Sequence, residues 1–379
     1  MVYKVIGLMS GSSLDGLDIA YVHLQERTAT TQAGPRSWDF QLLHTDCRPY
    51  STAWRERLAG ATRLSAYDYQ VLHAAYGRYL GEQVLQFIKA HGLEYQVQLI
   101  ASHGHTTFHA PERGMTAQLG DGASIAATTG INVVSDLRAM DVALGGQGAP
   151  IVPVGEKALW PDVDLFLNLG GIANISRQED RIAFDVVPAN RVLNELAAEA
   201  DGGSGPGLLD SGEGALAFDR DGALAASGQV DARLLGQLNQ LEYYGMAYPK
   251  SLANEFGLNT VLPLVRRAAL RKEDALRTYV EHIVVQVART VAGLGAGGKM
   301  LVTGGGAHNG FLIRQLSERL AAVGVEAVVP EGVIVDFKEA LVMALIGVLR
   351  WREENNVFAS VTGASRDSIG GAVWIGQEV

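Results

Sequence analysis

The chain has 379 residues, 47% hydrophobic and 19% charged; that suits a globular protein and is too long for one comfortable core, so two domains are expected. Lys and Arg number 31 against 41 Asp and Glu, and the net charge of −10 argues against nucleic acid or an anionic membrane as partner. The single cysteine, Cys47, excludes an intrachain disulfide, the start MVYKVIGLM lacks a secretion signal, and no apolar run reaches the roughly 18 residues that span a bilayer, so a cytoplasmic location is expected.

Val5, Ile6, Leu8 and Met9 predict a buried strand near 3–9, and Leu17, Ile19, Tyr21 and Val22 begin another near 17–24. Between them, Gly11 and Gly16 permit backbone angles that other residues avoid, and the hydroxyls of Ser10, Ser12 and Ser13 with nearby N–H groups could surround a phosphate. Asp15 and Asp18 cannot attract phosphate themselves, so Mg²⁺, held directly or through water, is their natural companion. Read alone, the stretch is more readily a polar β-hairpin with an ordinary DG turn.

A third strand at 38–44, a long helix at 66–91 and a strand at 96–101 follow, then the strand INVVS and a boundary near 136–153. A second region opens with DLFLNLGG (164–171), IANIS (172–176), RIAFDVV (181–187) and a helix at 190–200. Both regions read strand, Gly turn, strand, strand, helix. With helices at 273–294, 309–322 and 337–354 and strands at 299–303 and 326–329, they predict an α/β protein of two related lobes with a cleft between them. Asn168, Gly170, Gly171 and Asn174 form a second backbone-donor loop, and MLVTGGGAHNG places Gly304, Gly305 and Gly306 at a strand-to-helix junction. The spacing Gly304, Gly306, Gly310 is not the dinucleotide fingerprint, and no G-x-x-x-x-G-K-[ST] occurs. Such turns suit ATP with its phosphates between two hairpins and its base over the third loop.

The blocks GLMSGSSLDGLD (7–18), ASHGHTTFHAP (101–111), LGDGASIA (119–126), DLRAMDVALGGQGAPIVP (136–153), NLGGIANIS (168–176), FDVVPAN (184–190), FDRDGALAASG (218–228), PKSLANEF (249–256), LVTGGGAHN (301–309), DFKEAL (336–341) and SVTGASRD (360–367) resemble, in order and nearly end to end, the anhydro-N-acetylmuramic acid kinase family. That family belongs to the superfamily of actin, hexokinase and the heat-shock ATPases. The resemblance implies two actin-like, ribonuclease H-like lobes with an interlobe active site: 1–135 with 360–379 carrying the phosphate loop and part of the sugar site, and 136–359 carrying the base and the nucleotide-base site. It implies transfer of the ATP γ-phosphate to O6 of 1,6-anhydro-N-acetylmuramic acid while water opens the anhydro bridge, giving N-acetylmuramic acid 6-phosphate in cell-wall recycling.

By the same resemblance Asp185 is the catalytic base, and His103, Arg138 and Glu339 contact the sugar, with the Arg138 fork suited to its lactyl carboxylate or hydroxyls. ATP and phosphate fall to Gly11, Ser12, Ser13, Leu14, Asp15, Gly16, Leu17, Asp18, Asn168, Gly170, Gly171, Gly304, Gly305 and Gly306, with Asp15 and Asp18 as Mg²⁺ ligands. The expected partners are ATP and the anhydrosugar, with a homodimer left open. Without the family, Asp185 is a strand-end carboxylate that would cap a helix, and Glu339 one that complements a helix dipole. His103, His105 and His109 form H-x-H-x3-H, but with no cysteine or fourth ligand beside them a sugar-facing His103 is the better use than zinc.

Three blocks depart from the family pattern. After the base, T-G-P-G-N is replaced by Val186, Val187, Pro188, Ala189 and Asn190, SHGQT is replaced by SHGHT at His105, and PKSLANEF lacks the usual Gly and Arg before Glu255. A β-branched Val187 does not take positive φ comfortably, so the loop either differs locally or never needed that conformation. These departures leave two alternatives open: a kinase for another anhydrosugar such as levoglucosan, or a non-catalytic ATP-binding conformational module.

Overall fold

A computed structural model describes residues 1–11, 14–27, 37–198, 218–248, 250–295 and 297–377, the side chain of Asn254 excepted. It divides into two compact units, Met1–Pro161 with Phe337–Val379, and Asp162–Asp336.

The first unit is built on β1 (Val2–Ser10), β2 (Gly16–Glu26), β3 (Trp38–Pro49), β4 (Leu99–Ala110), β5 (Met115–Leu119), β6 (Asn132–Ser135) and β12 (Ala372–Trp374). Their order is β12-β6-β4-β1-β2-β3, with β5 paired to β4. β1, β2 and β3 are antiparallel, whereas β4 runs parallel to β1 and β6 parallel to β4. The apolar alternation of β1 and β2 buries Ile6, Leu8, Leu17 and Ile19 against Leu72, Tyr76, Leu80, Val84 and Phe87 of the helix Ala66–His91. Ser65 caps that helix by accepting from the Asp68 N–H at 3.1 Å, and Gly92 ends it in the left-handed conformation at φ 62°.

The second unit contains β7 (Leu165–Leu169), β8 (Ile172–Arg177), β9 (Ile182–Pro188), β10 (Gly298–Thr303) and β11 (Val325–Val328), in the order β11-β10-β7-β8-β9. Again three consecutive strands are antiparallel and the next two join parallel on the far side of the first. With β5 left off the path and β12 added beyond β6, the successive strands of both sheets follow the 3-2-1-4-5 order of the ribonuclease H-like arrangement. Leu165, Leu167, Ile175 and Val187 pack on Tyr279, Ile283 and Val287 of the helix Lys272–Gly293. Among the described residues no helix is long and apolar enough to cross a membrane.

Residues 136–161 and 337–359, expected in the second lobe, lie in the first unit. Buried polar contacts hold them there. The Asp141 carboxylate accepts from the Thr362 hydroxyl at 2.7 Å, and the Lys338 ammonium donates to Glu156 at 2.9 Å with both side chains buried. Gly7 of β1 also lies so close to the helix Gly332–Trp351 that a Cβ would fall 1.9 Å from the Ala340 carbonyl oxygen. The fourth strand also differs: it runs to Ala110 and draws His103, His105 and His109 into the sheet.

Candidate active site

In the first unit Gly11, Leu14 and Asp15 form the β1–β2 turn, while Ser12 and Ser13 lie outside the described residues. Leu14 takes φ 60°, and its N–H donates to the Gly11 carbonyl at 3.4 Å. Gly16 and Leu17 already belong to β2. A Cβ on Gly16 would lie 2.7 Å from the Arg48 carbonyl oxygen, and the Leu17 side chain is buried in the core, so both set the turn by packing. The Tyr50 hydroxyl donates to Ser10 Oγ at 2.8 Å and meets the Tyr76 hydroxyl at 2.5 Å, while Ser10 Oγ is 3.4 Å from His105 Nδ1. All four side chains are buried, so the root of the turn is held from four elements. Tyr50 and Tyr76 lie in no motif, and sequence reading missed them. Asp15 is exposed, and Asp18 faces Cys47 across the β2–β3 ladder and accepts from its thiol. Two carboxylates beside a backbone turn are suitable hard-oxygen ligands for Mg²⁺. Among the described residues no group of three or more His, Cys, Asp or Glu is placed to hold a metal.

Deeper in the same unit His103, Arg138 and Glu339 come together. His103 Nδ1 donates to the Gly104 carbonyl at 2.8 Å, and its Nε2 accepts from Arg138 Nε at 2.8 Å. Burial, then the Arg138 charge, pushes the imidazole down to about 3, so it is a neutral acceptor. Arg138 Nη1 donates to the Gly148 carbonyl at 2.6 Å. Burial pulls the guanidinium down to about 10 against the opposing charges of Glu339 and Asp141. Asp141 organises the Gly-rich stretch that follows: it is fully buried, and accepts from the Gly148 N–H at 2.7 Å as well as from Thr362. Asp141 stands in the DLRAMD block but had been given no role; its burial is the missing signal.

In the second unit the nucleotide glycines gather around β7. The Asn190 N–H donates to the Gly170 carbonyl at 3.1 Å, the Ala189 and Arg191 N–H groups to Gly171 at 2.8 and 3.3 Å, and Asn190 Nδ2 to Leu169 at 2.8 Å. Parallel pairing of Thr303 with Asn168 brings the Gly304 turn alongside. Gly304 takes φ 81°, and a Cβ there would lie 2.3 Å from Asn168 Oδ1; one on Gly306 would lie 2.8 Å from Leu169 Cβ. These two glycines let the loops touch. A Cβ on Gly170, Gly171 or Gly305 would meet nothing nearer than 3.4 Å, so their backbone can be approached from outside, as a phosphate-binding loop requires. The FDRDG block joins the same loop, with the Gly310 N–H donating to Asp221 Oδ1 at 2.9 Å. Asn190, visible only as the end of FDVVPAN, is the joint that sequence reading missed.

Asp185 lies inside β9 and caps no helix. Its Oδ2 accepts from the Leu252 N–H at 2.8 Å, and its backbone carbonyl accepts from the Tyr243 hydroxyl at 2.7 Å. The ladder shifts register between Ala173 and Asn174, which pair with Val187 and Asp185, so Val186 is the extra residue of a bulge next to the carboxylate. Val186 and Val187 are both buried, and no residue from Ile182 to Asn190 has positive φ. The valines are therefore accommodated as strand residues. Burial raises the Asp185 carboxyl above its ordinary range, opposed by the Leu252 hydrogen bond, which moves a base toward neutral working pH.

A family model for anhydro-N-acetylmuramic acid kinase matches residues 3–376. Proteins of that name from Aliivibrio fischeri and Streptomyces coelicolor are each 34% identical to this chain, covering 98% and 99% of it and 99% and 94% of their own lengths. One from Xanthomonas oryzae pv. oryzae is 35% identical over 97% of this chain and 96% of its own. Match and identity run the length of the sequence, and the chain belongs to the anhydro-N-acetylmuramic acid kinase family.

Proposed function

We propose that the chain is an ATP-dependent kinase that opens the 1,6-anhydro ring of 1,6-anhydro-N-acetylmuramic acid with water and phosphorylates O6, giving N-acetylmuramic acid 6-phosphate in cytoplasmic cell-wall recycling. The observation that carries the chemistry is Asp185, a partly buried carboxylate with a raised pKa, aimed by the Leu252 N–H. Asp185 takes a proton from the water whose oxygen bonds to C1, and the C1–O6 electron pair passes to O6. O6 takes the γ-phosphoryl group of the substrate ATP, which leaves as ADP; Mg²⁺ held by Asp15 and Asp18 would offset the phosphate charge. Within the second unit the open backbone of Gly170, Gly171 and Gly305 suits phosphate, and within the first the β1–β2 turn does so, with Asp15 and Asp18 as the residues that would hold Mg²⁺. Arg138 holds sugar hydroxyls, with Glu339 acting on its charge, and His103, whose two ring nitrogens are taken by Gly104 and Arg138, orients it.

Isotope labelling tests this. In H₂¹⁸O the phosphorylated sugar is expected to carry one heavy oxygen at C1 and none in the phosphate, read by mass spectrometry of the intact and dephosphorylated product. Label in the phosphate ester, or a product that keeps its anhydro bridge, overturns the coupled reaction.

A further inference from the structure

The stretch that supplies the Leu252 N–H to Asp185 carries a cation two residues earlier. Lys250 Nζ lies 4.6 Å from the Tyr243 ring centroid and 5.8 Å from that of Phe184, and donates to the Tyr243 carbonyl at 3.3 Å. Phe184 is in turn stacked on Tyr248, the rings 5.5 Å apart and 7° from parallel. The ammonium thus sits among aromatic faces at the edge of the strand that bears the base. Among the described residues no carboxylate is ion-paired with it, and burial alone lowers its pKa. Two π faces and one carbonyl compensate a partly desolvated cation only in part. Arg138 differs: His103 and Gly148 take two of its three nitrogens, and Glu339 and Asp141 offset its charge.

We propose that Lys250 is an anion subsite that reads the carboxylate of the sugar's lactyl group, and so makes the enzyme select an acidic anhydrosugar over a neutral one. This rests on the function proposed above. The lactyl ether is borne on C3, two ring carbons from the C1 that Asp185 serves, so a group reading its carboxylate belongs on an element next to the base. Lys250 and Leu252 meet that requirement from one stretch of backbone: the N–H orients the base and the ammonium takes the acid. A carboxylate entering this apolar surround gains a charge-assisted hydrogen bond, whereas a neutral sugar leaves the cation uncompensated.

The test compares kcat/KM on 1,6-anhydro-N-acetylmuramic acid and on 1,6-anhydro-N-acetylglucosamine, which lacks the lactyl group, for the wild type, Lys250→Met, Lys250→Gln and Lys250→Arg. The wild type is expected to favour the acid, and the acid-to-neutral ratio to fall roughly tenfold to a hundredfold in both Met and Gln variants, with Arg restoring much of it. An unchanged ratio in the Met and Gln variants, or an equal loss on both sugars, overturns the subsite and leaves the kinase reading intact. A wild type inactive on the acid sugar overturns the kinase reading and the subsite with it. Should Lys250→Met fail to fold, the ratio in Lys250→Gln decides.

Discussion

At the residue scale, Asp185 and His103 show how environment assigns roles to ordinary side chains. Asp185 is raised by burial and so is a better base near neutral pH, while the His103 imidazole is held neutral and can only accept from Arg138. Replacing Asp185 with Asn keeps the shape and removes the proton acceptor. Turnover is expected to fall about 10²- to 10⁴-fold with ATP affinity little altered. Steady-state kinetics and calorimetric ATP titration check this; turnover within a few-fold of wild type would remove Asp185 from the mechanism, and an equal loss of ATP affinity would make it a phosphate or metal ligand. In the wild type the acid limb of kcat/KM should also lie above the ordinary carboxylate range, because the carboxylate must be ionised to act and its folded pKa is raised. A limb at or below pH 4 in that profile would count against the base.

At the scale of elements, the glycines of one loop divide by what surrounds them. Gly304 has φ 81° and Asn168 Oδ1 within 2.3 Å of where a Cβ would sit, whereas a Cβ on Gly305 would meet only Asn190 Nδ2 at 3.7 Å. Gly304→Ala must push the β10 turn away from β7, and its expected cost is about 1–3 kcal/mol in urea unfolding. Gly305→Ala is expected to stay within about 0.5 kcal/mol of wild type. Equal stabilities for the two variants would show that the β7 and β10 loops are not in contact as described. The bulge at Val186 shows the same dependence on neighbours: two adjacent valines point into the core only because β8 is one residue shorter across the ladder.

For the whole molecule, each unit contains a fully buried, neutral histidine. His103 in the first is pushed down to about 3 by burial and Arg138; His282 in the second is pushed down to about 3 by burial and Arg289. His282 Nδ1 donates to Asn239 Oδ1 at 2.8 Å, and the Tyr244 hydroxyl is 3.0 Å from its Nε2. In the unfolded chain both rings protonate near pH 6.5, but in the native state neither does until about 3, so the unfolded state binds more protons between those values. The stability they contribute is complete above pH 6.5 and is lost as pH falls toward 3. The urea midpoint is therefore expected to drop between pH 7 and pH 5, a range in which ordinary carboxylates barely titrate. A midpoint flat over that range would mean that these imidazoles already carry a proton in the native state.

The sequence by itself determined what depends on neighbours along the chain. Alternation in VIGLM and LDIAYV gave the first hairpin, Ser65, Asp68 and Gly92 bound the helix Ala66–His91, and repetition of strand, Gly turn, strand, strand, helix revealed two related units. The glycine turns and Asp185 were legible because backbone freedom and a carboxylate leave marks in composition and order. What only the tertiary structure decided was what distant residues do to one another. Contacts of Asp141 with Thr362 and of Glu156 with Lys338 drew 136–161 and 337–359 into the first unit, against the boundary that local composition suggested. Tyr50, Tyr76 and Tyr243 lie in no quoted block, and Asn190 and Lys250, though inside FDVVPAN and PKSLANEF, carried no sign of their roles, since their partners are brought to them by strand pairing and burial. Burial also sets the charge of His103 and raises Asp185, because desolvation depends on what the folded chain packs around a group and not on the residues beside it in sequence.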